Sequence, residues 1–404
     1  MKNSTILILT AGFALVTGLA AAPKATRAGD PAPVKIVHVH AITGPLQALT
    51  RQTQTGLMLG LEYATQGTMA VDGRKIQVVE KDDQLKPDLA RTLLAEAYGD
   101  EGAQIAVGDI ASNVALAMLP VALEYKRILV VDPAGADSIT GKAWNRYVFR
   151  TGRSSTQDAI ALAQALGKPG VSIATLAQDY AYGRDATAAM REALKGTGAE
   201  LVYEEFAPFA AVDLSASALR LFDALKNRPG RKIILVLWAS SVDAVGKIKE
   251  QGPERFGIEL AAPGNVFASM AAYKQLPGME GATYYYYAIP QNPVNAWLVK
   301  THEERFGGPP DFFVPGGMTA GIAIVTAIRK AEGSTDAEKL IAAMEGMKFD
   351  TPKGEMLIRA EDHQALQSMY HFRIKVDPAV SWGIPELVNE IGIGDMKVPI
   401  MNQR

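Results

Sequence analysis

GDIASNVALAMLPVALEYKRILVVDPAGADSIT, residues 108–140, is the stretch from which the rest of the chain can be read. A short apolar run at 105–107 ends in Gly108 and predicts a strand. Ser112 follows in a turn, ahead of a helix predicted over 113–125, where Val114, Met118, Val121 and Ala122 recur at helical spacing on one side. Residues 127–132 read as a parallel strand buried on both faces, and 133–136 (PAGA) turn off its carboxyl end. Two loops at the carboxyl ends of neighbouring parallel strands, one opening a helix N-terminus, form a cradle for an anion or a polar ligand.

The same rhythm extends in both directions. Strands are predicted at 34–39, 76–80, 105–107 and 128–131, with helices at 55–65 and 87–98 among them. Repeated βα units of this length build a parallel sheet with helices on both faces. A strand at 147–150 and a linker-like segment, Thr151-Gly-Arg-Ser-Ser155, precede a second series of strands at 171–174, 200–203 and 233–238. Helices at 186–195, 214–225 and 242–251 accompany them. Tyr284 to Tyr287 predict a strand, because aromatics favour a pleated, half-buried surface. Helices at 295–306, 317–331 and 335–344 lead to a closing hairpin, 354–359 with 368–376, and an irregular tail from Pro378. The fold class is therefore α/β, with two doubly wound parallel-sheet lobes, the second spliced into the first.

The 404 residues suffice for a large core, and their length favours two domains. A formal net charge of −2 offers no basic footprint for nucleic acid. With no cysteine, disulfides, thiol catalysis and thiolate metal sites are excluded. Lys2 and the apolar, small-residue run 6–22 read as a signal peptide, residues 1–28, cut after Ala22 or after Ala28. Its apolar part is shorter than the roughly 20 residues of a membrane span, so a soluble exported protein without a membrane anchor is expected. Cutting after Ala28 removes Lys2, Lys24 and Arg27, taking 41 basic residues to 38 against 43 acidic ones.

In the order of its motifs the chain resembles the leucine/isoleucine/valine-binding protein family, the type I periplasmic solute-binding proteins of ABC importers. The residues that carry the resemblance are Ile42-Thr-Gly-Pro45, Asp82-Asp83, the 108–140 cradle and Tyr182-Gly183, over roughly residues 34–376. The resemblance implies two lobes joined by three crossovers, placed near 151–154, 282–287 and 350–354, that close on a ligand. Lobe 1 is then 33–152 plus 286–350, and lobe 2 is 153–285 plus 351–404. It also implies a periplasmic location, a small-molecule ligand, an importer permease as partner, no cofactor and a monomer.

Carried over residue by residue, the family's carboxylate-binding serine matches Ser112, which could equally cap its helix. The family's Pro-Ala turn, whose backbone contacts the ligand, matches Pro133 and Ala134. The hydroxyl that helps to hold the ligand's ammonium is replaced by Ala136. The acidic partner of that ammonium falls near Pro263-Gly-Asn265, where Asn265 offers no charge. Leu49 stands for the first-lobe aromatic, and Leu85 and Ala111 for the family's disulfide. An α-ammonium buried without a charge partner costs several kcal/mol. The expected ligand is therefore a carboxylate with an apolar or aromatic body. Tyr182 matches the second-lobe aromatic, Trp238 and Phe267 fall at strand ends that face either the cleft or the core, and Phe313 lies on a loop in reach.

An enzyme is the first rival. His38 and His40 share a strand face, but no third metal ligand stands at a matching spacing, and Glu361-Asp-His363 reads as a solvated turn. There is no Gly-x-Ser-x-Gly elbow and no phosphate-binding loop with lysine. The second rival is a periplasmic sensor that hands its closed form to a membrane receptor. The third is a branched-chain amino-acid binder with a rebuilt ammonium site.

Overall fold

Buried strands and amphipathic helices alternate along the chain in a computed structural model that describes residues 31–239 and 242–402. The leader expected over 1–28 lies outside the described residues. The first series runs Val34–His40 (β1), Gln47–Ala64 (α1), Ala70–Val71 (β2), Arg74–Asp82 (β3) and Pro87–Gly99 (α2). Ile105–Val107 (β4), Ser112–Tyr125 (α3), Ile128–Val131 (β5) and Val148–Arg150 (β6) complete it. These strands form one sheet in the order β2-β3-β1-β4-β5-β6, parallel apart from the short β2. Every residue of β5 is buried, which is why 128–131 reads as uninterrupted apolar sequence.

The chain then crosses to the second lobe. There Ser155–Leu166 (α4), Val171–Gln178 (β7), Ala181–Ala193 (α5), Glu200–Ala207 (β8) and Ser215–Leu225 (α6) lead to Arg231–Leu237 (β9), Ala244–Glu250 (α7) and Ile258–Ala261 (β10). The sheet is parallel throughout, in the order β10-β9-β7-β8. Alternate residues of β7 feed two cores. Ile173 and Ala177 pack with Leu162 and Met190, whereas Ala174 and Leu176 pack with Leu221 and Ile248.

Phe267–Met270 (α8) and Glu280–Thr283 (β11) end this run, and the chain returns to lobe 1 as Pro293–Phe306 (α9), Val314–Lys330 (α10) and Ala337–Met344 (α11). Lys348–Thr351 (β12), Gly354–Ile358 (β13) and Ala365–Leu366 (β14) form a small antiparallel sheet beside them. Met369–Lys375 (β15) and Ile384–Ile391 (β16) then join β11 in a second antiparallel sheet.

Five expectations need correction. Helix α1 starts at Gln47 rather than at 55, because Thr50 and Thr53 lie on its buried face and turn their hydroxyls onto the Ala41 and Thr50 carbonyls, at 2.5 and 2.7 Å. The strand expected at 284–287 is Glu280–Thr283 instead, and the tyrosines form the crossover after it. Residues 354–359 and 368–376 do not make a hairpin but belong to different sheets, and the tail carries β16. Phe349, Met356, Ile358 and Ala365 sit in the lobe 1 core, whereas Leu366 and Met369 sit in that of lobe 2. The last switch between lobes therefore falls after Ala365, not near 350.

The hinge side of lobe 1 depends on a close helix pair. A Cβ at Gly56 of α1 would lie 2.0 Å from the Val314 carbonyl oxygen, and one at Gly317 of α10 would lie 2.0 Å from that of Thr53. Only glycine lets these backbones meet, and that contact sets where Phe313, at the start of α10, enters the cleft.

Candidate functional site

The carboxyl ends of the parallel strands of the two lobes face one another, and the loops that leave them wall a cleft. Leu46, Leu49, Ile110 and Phe313 give it apolar surface. Ser112, Arg153, Tyr180 and Tyr182 give it polar groups. The lobes are closed, and the space between them is about 20 Å³, room for roughly one water molecule. A ligand enters only once the lobes part.

Ser112 is the first residue of α3 and is buried. Its hydroxyl does not cap the helix; it accepts the Ala136 amide at 3.2 Å, tying the two cradle loops together. The amide of Ala134 donates to the Asp109 carbonyl at 3.1 Å, and the Ala136 carbonyl accepts Nη1 of Arg150 at 2.5 Å. The turn 133–136 thus spends these groups inside lobe 1, and Ala134 and Ala136 do not line the cleft. Pro133 and Gly135 do. A Cβ at Gly135 would stand 3.2 Å from Tyr182 ring carbons, so glycine admits the lobe 2 aromatic onto the turn.

Arg153 lies in the first crossover, buried to 8% exposure. Its Nη1 donates to the Pro133 carbonyl at 3.2 Å, and its Nε lies 3.2 Å from Oδ2 of Asp158. The guanidinium sits 5.3 Å from the Tyr284 ring centroid and 5.7 Å from that of Phe312. Burial works against its charge, but Asp158, and then Tyr182, Tyr284 and Asp132, raise its pKa above the ordinary arginine value. Burial pushes the Tyr182 phenol up to about 12 and also raises that of Tyr180, so both remain neutral hydrogen-bonding groups. Behind the arginine, burial pushes Asp132 up to about 6 against the pull of Lys353 and Arg153.

Trp238, Asn265 and Phe267 do not line this cleft. Leu237 faces the cleft-side core and Trp238, one residue on, faces the opposite one, as strand alternation requires. Asn265 is held by its neighbours, donating to the Trp238 carbonyl at 3.3 Å and accepting the Val266 amide at 2.8 Å. Phe267 stacks on Trp382 at 4.0 Å, and its amide donates to Oδ1 of Asp311 across the lobes at 2.9 Å. On another flank Asp185 of α5 accepts the amide and hydroxyl of Ser138 from lobe 1, at 3.0 and 2.9 Å.

Of the residues singled out in the sequence, Ser112, Leu49, Tyr182 and Phe313 come together. Arg153 and Tyr180 were missed. The available signal for Arg153 was a lone charged residue in an otherwise small, polar segment between two lobes. The histidines do other work. His38 and His40 stack at 4.0 Å and bond to Gln54 and Glu80. His363 is buried against Phe149 at 3.9 Å, not solvated, with Nδ1 on the Val148 carbonyl.

The family model described as periplasmic binding protein matches residues 33–379, both lobes included. The Leu/Ile/Val-binding protein homolog 6 of Brucella suis biovar 1 is 26% identical over 368 residues, covering 88% of this chain and 91% of its own. A crystal structure of an ABC-type branched-chain amino acid transporter from Rhodopseudomonas palustris is 61% identical, with a TM-score of 0.82 over 92% of this chain and 100% of that one. A solute-binding protein of an ABC transporter from Rhodopseudomonas palustris BisB5, in complex with 3,4-dihydroxybenzoic acid, is 26% identical. Its TM-score is 0.78 over 90% of this chain and 98% of that one. With a match over most of its length, this chain belongs to the periplasmic binding protein family of ABC transporters.

Proposed function

We propose that the protein is a periplasmic solute-binding protein that delivers a small organic carboxylate, with an apolar or aromatic body, to the permease of an ABC importer. The observation that carries this reading is the charge of the cleft: Arg153 is there, paired with Asp158, and among the described residues no acidic side chain lines it. An α-amino acid would bring a buried ammonium with no carboxylate to meet it, at a cost of several kcal/mol. A carboxylate finds the Ser112 hydroxyl and the arginine, and Leu46, Leu49, Phe313 and the two tyrosines suit a flat or aliphatic body. The relative bound to 3,4-dihydroxybenzoic acid supports the same class.

The mechanism is binding without chemistry. A ligand touches both lobes only when they close, so it shifts the population toward the closed form, which the permease then reads. Among the described residues no helix is long and apolar enough to cross a membrane.

A second reading rests on the 61% identical protein, which is named for branched-chain amino acids. It requires an ammonium site built from neutral acceptors alone. A thermal-shift screen of aromatic acids, short fatty acids, amides and amino acids separates the two. Stabilisation by aromatic or aliphatic acids supports the carboxylate reading; stabilisation by leucine at micromolar concentration overturns it.

A further inference from the structure

We infer that Arg153, rather than the Ser112 cradle, is the charge partner of the ligand's carboxylate, with Asp158 and the Tyr284 ring as its positioning groups. The inference rests on the reading above only in taking this cleft as the binding site. The family resemblance points instead to the serine and the backbone amides of the following turn. Here those of Ala134 and Ala136 are engaged, on the Asp109 carbonyl and on the Ser112 hydroxyl. Among the described residues that line the cleft, Arg153 is the one that carries a positive charge to meet the anion.

The guanidinium is built for the task. Of its five N–H groups, one goes to the Pro133 carbonyl, and in the closed form the guanidinium also hydrogen-bonds to the Tyr182 phenol. Asp158 lies beside Nε at 3.2 Å and balances the charge from that edge, which leaves the Nη edge to face an incoming anion. Tyr284 and Phe312 lie against the planar group and fix its orientation, so little freedom is lost when an anion arrives. A planar fork of this kind matches a carboxylate in two parallel hydrogen bonds, which a neutral amide cannot copy.

Position adds a second consequence. Arg153 belongs to the crossover, and a Cβ at Gly135 would stand 3.8 Å from its Nη1 and 3.2 Å from the Tyr182 ring. The hinge cation, the lobe 1 turn and the lobe 2 aromatic therefore meet at one point in the closed form. A carboxylate on Arg153 lies where closure brings Tyr182 down. The arginine thus both selects an anion and ties its arrival to closure.

Titration calorimetry with benzoate, benzamide and L-leucine on wild type, Arg153→Gln and Arg153→Lys tests this. Wild type should prefer benzoate to benzamide, and Arg153→Gln should lose benzoate affinity by roughly 10- to 100-fold, so that the preference for benzoate over benzamide shrinks or vanishes. Arg153→Lys keeps the charge without the fork and should lose less. It carries the test should the glutamine variant fail to fold. A folded Arg153→Gln protein that binds benzoate within threefold of wild type overturns the inference, as does a wild type that takes neither benzoate nor leucine. If wild type binds leucine and not benzoate, the ligand reading falls. Leucine affinity in Arg153→Gln then decides the role of Arg153 by the same measure.

Discussion

The Ala136 amide donates to the hydroxyl oxygen of Ser112 across 3.2 Å, so the loop after β5 is tied to the first turn of α3. The bond occupies a lone pair of the hydroxyl and leaves its proton to give. Ser112 can therefore hold the cradle together and donate to a ligand oxygen at once.

Replacing Ser112 with alanine removes that donor and leaves the Ala136 amide without its acceptor. The expected loss of ligand affinity is about 1–2 kcal/mol, the size of a hydrogen bond to a charged group. Calorimetry checks it, and an unchanged affinity would remove Ser112 from the site.

The two hydrogen bonds from Ser138 to Asp185 cross between lobes and exist only when the lobes are together. Asp185→Ala should shift the ligand-free population toward the open form and lower ligand affinity severalfold, by the fraction of closed form lost. Small-angle scattering without ligand should give a larger radius of gyration than wild type; an identical curve would show that this contact does not hold the lobes.

His38 is buried beneath α1, with Nδ1 2.6 Å from Oε1 of Gln54. Burial first, and then repulsion from His40, depress its pKa from 6.5 to about 3. The unfolded chain therefore takes up this proton before the folded one does. Stability is fully present above pH 6.5 and falls as pH drops toward 3, by at most roughly 1.4 kcal/mol per pH unit from this group. Urea unfolding at pH 7 and pH 5 should show the loss in wild type and a smaller one in His38→Gln. Equal losses would place the acid sensitivity elsewhere.

Much of this architecture was legible in the sequence, for identifiable reasons. Strands β4 and β5 of lobe 1 are buried on both faces, so 105–107 and 128–131 read as unbroken apolar runs. The first turns of α1 were hidden because Thr50 and Thr53 bury hydroxyl-bearing side chains, which bond to the Ala41 and Thr50 carbonyls. Tyr284 to Tyr287 look like a strand by propensity, yet Tyr284 bonds to the Phe312 carbonyl and Tyr285 to Asn295, so the run is locked as a crossover by side chains rather than by a ladder. In the cleft, Ser112 and Tyr182 could be placed because they follow strand ends in order. Arg153 could not, since nothing in Thr151-Gly-Arg-Ser-Ser155 says which groups a crossover turns inward. Trp238 was lost to parity: one residue along a strand exchanges one core for the other.

The central claim is that the cleft accepts a carboxylate and refuses the ammonium beside it. L-Leucine and 4-methylpentanoate differ only by that ammonium, so titrating both into the same protein measures the claim directly. The account predicts that 4-methylpentanoate binds at least roughly a hundredfold more tightly, the equivalent of the several kcal/mol that an unpaired buried charge costs. Leucine binding as tightly as 4-methylpentanoate, or more so, would contradict it.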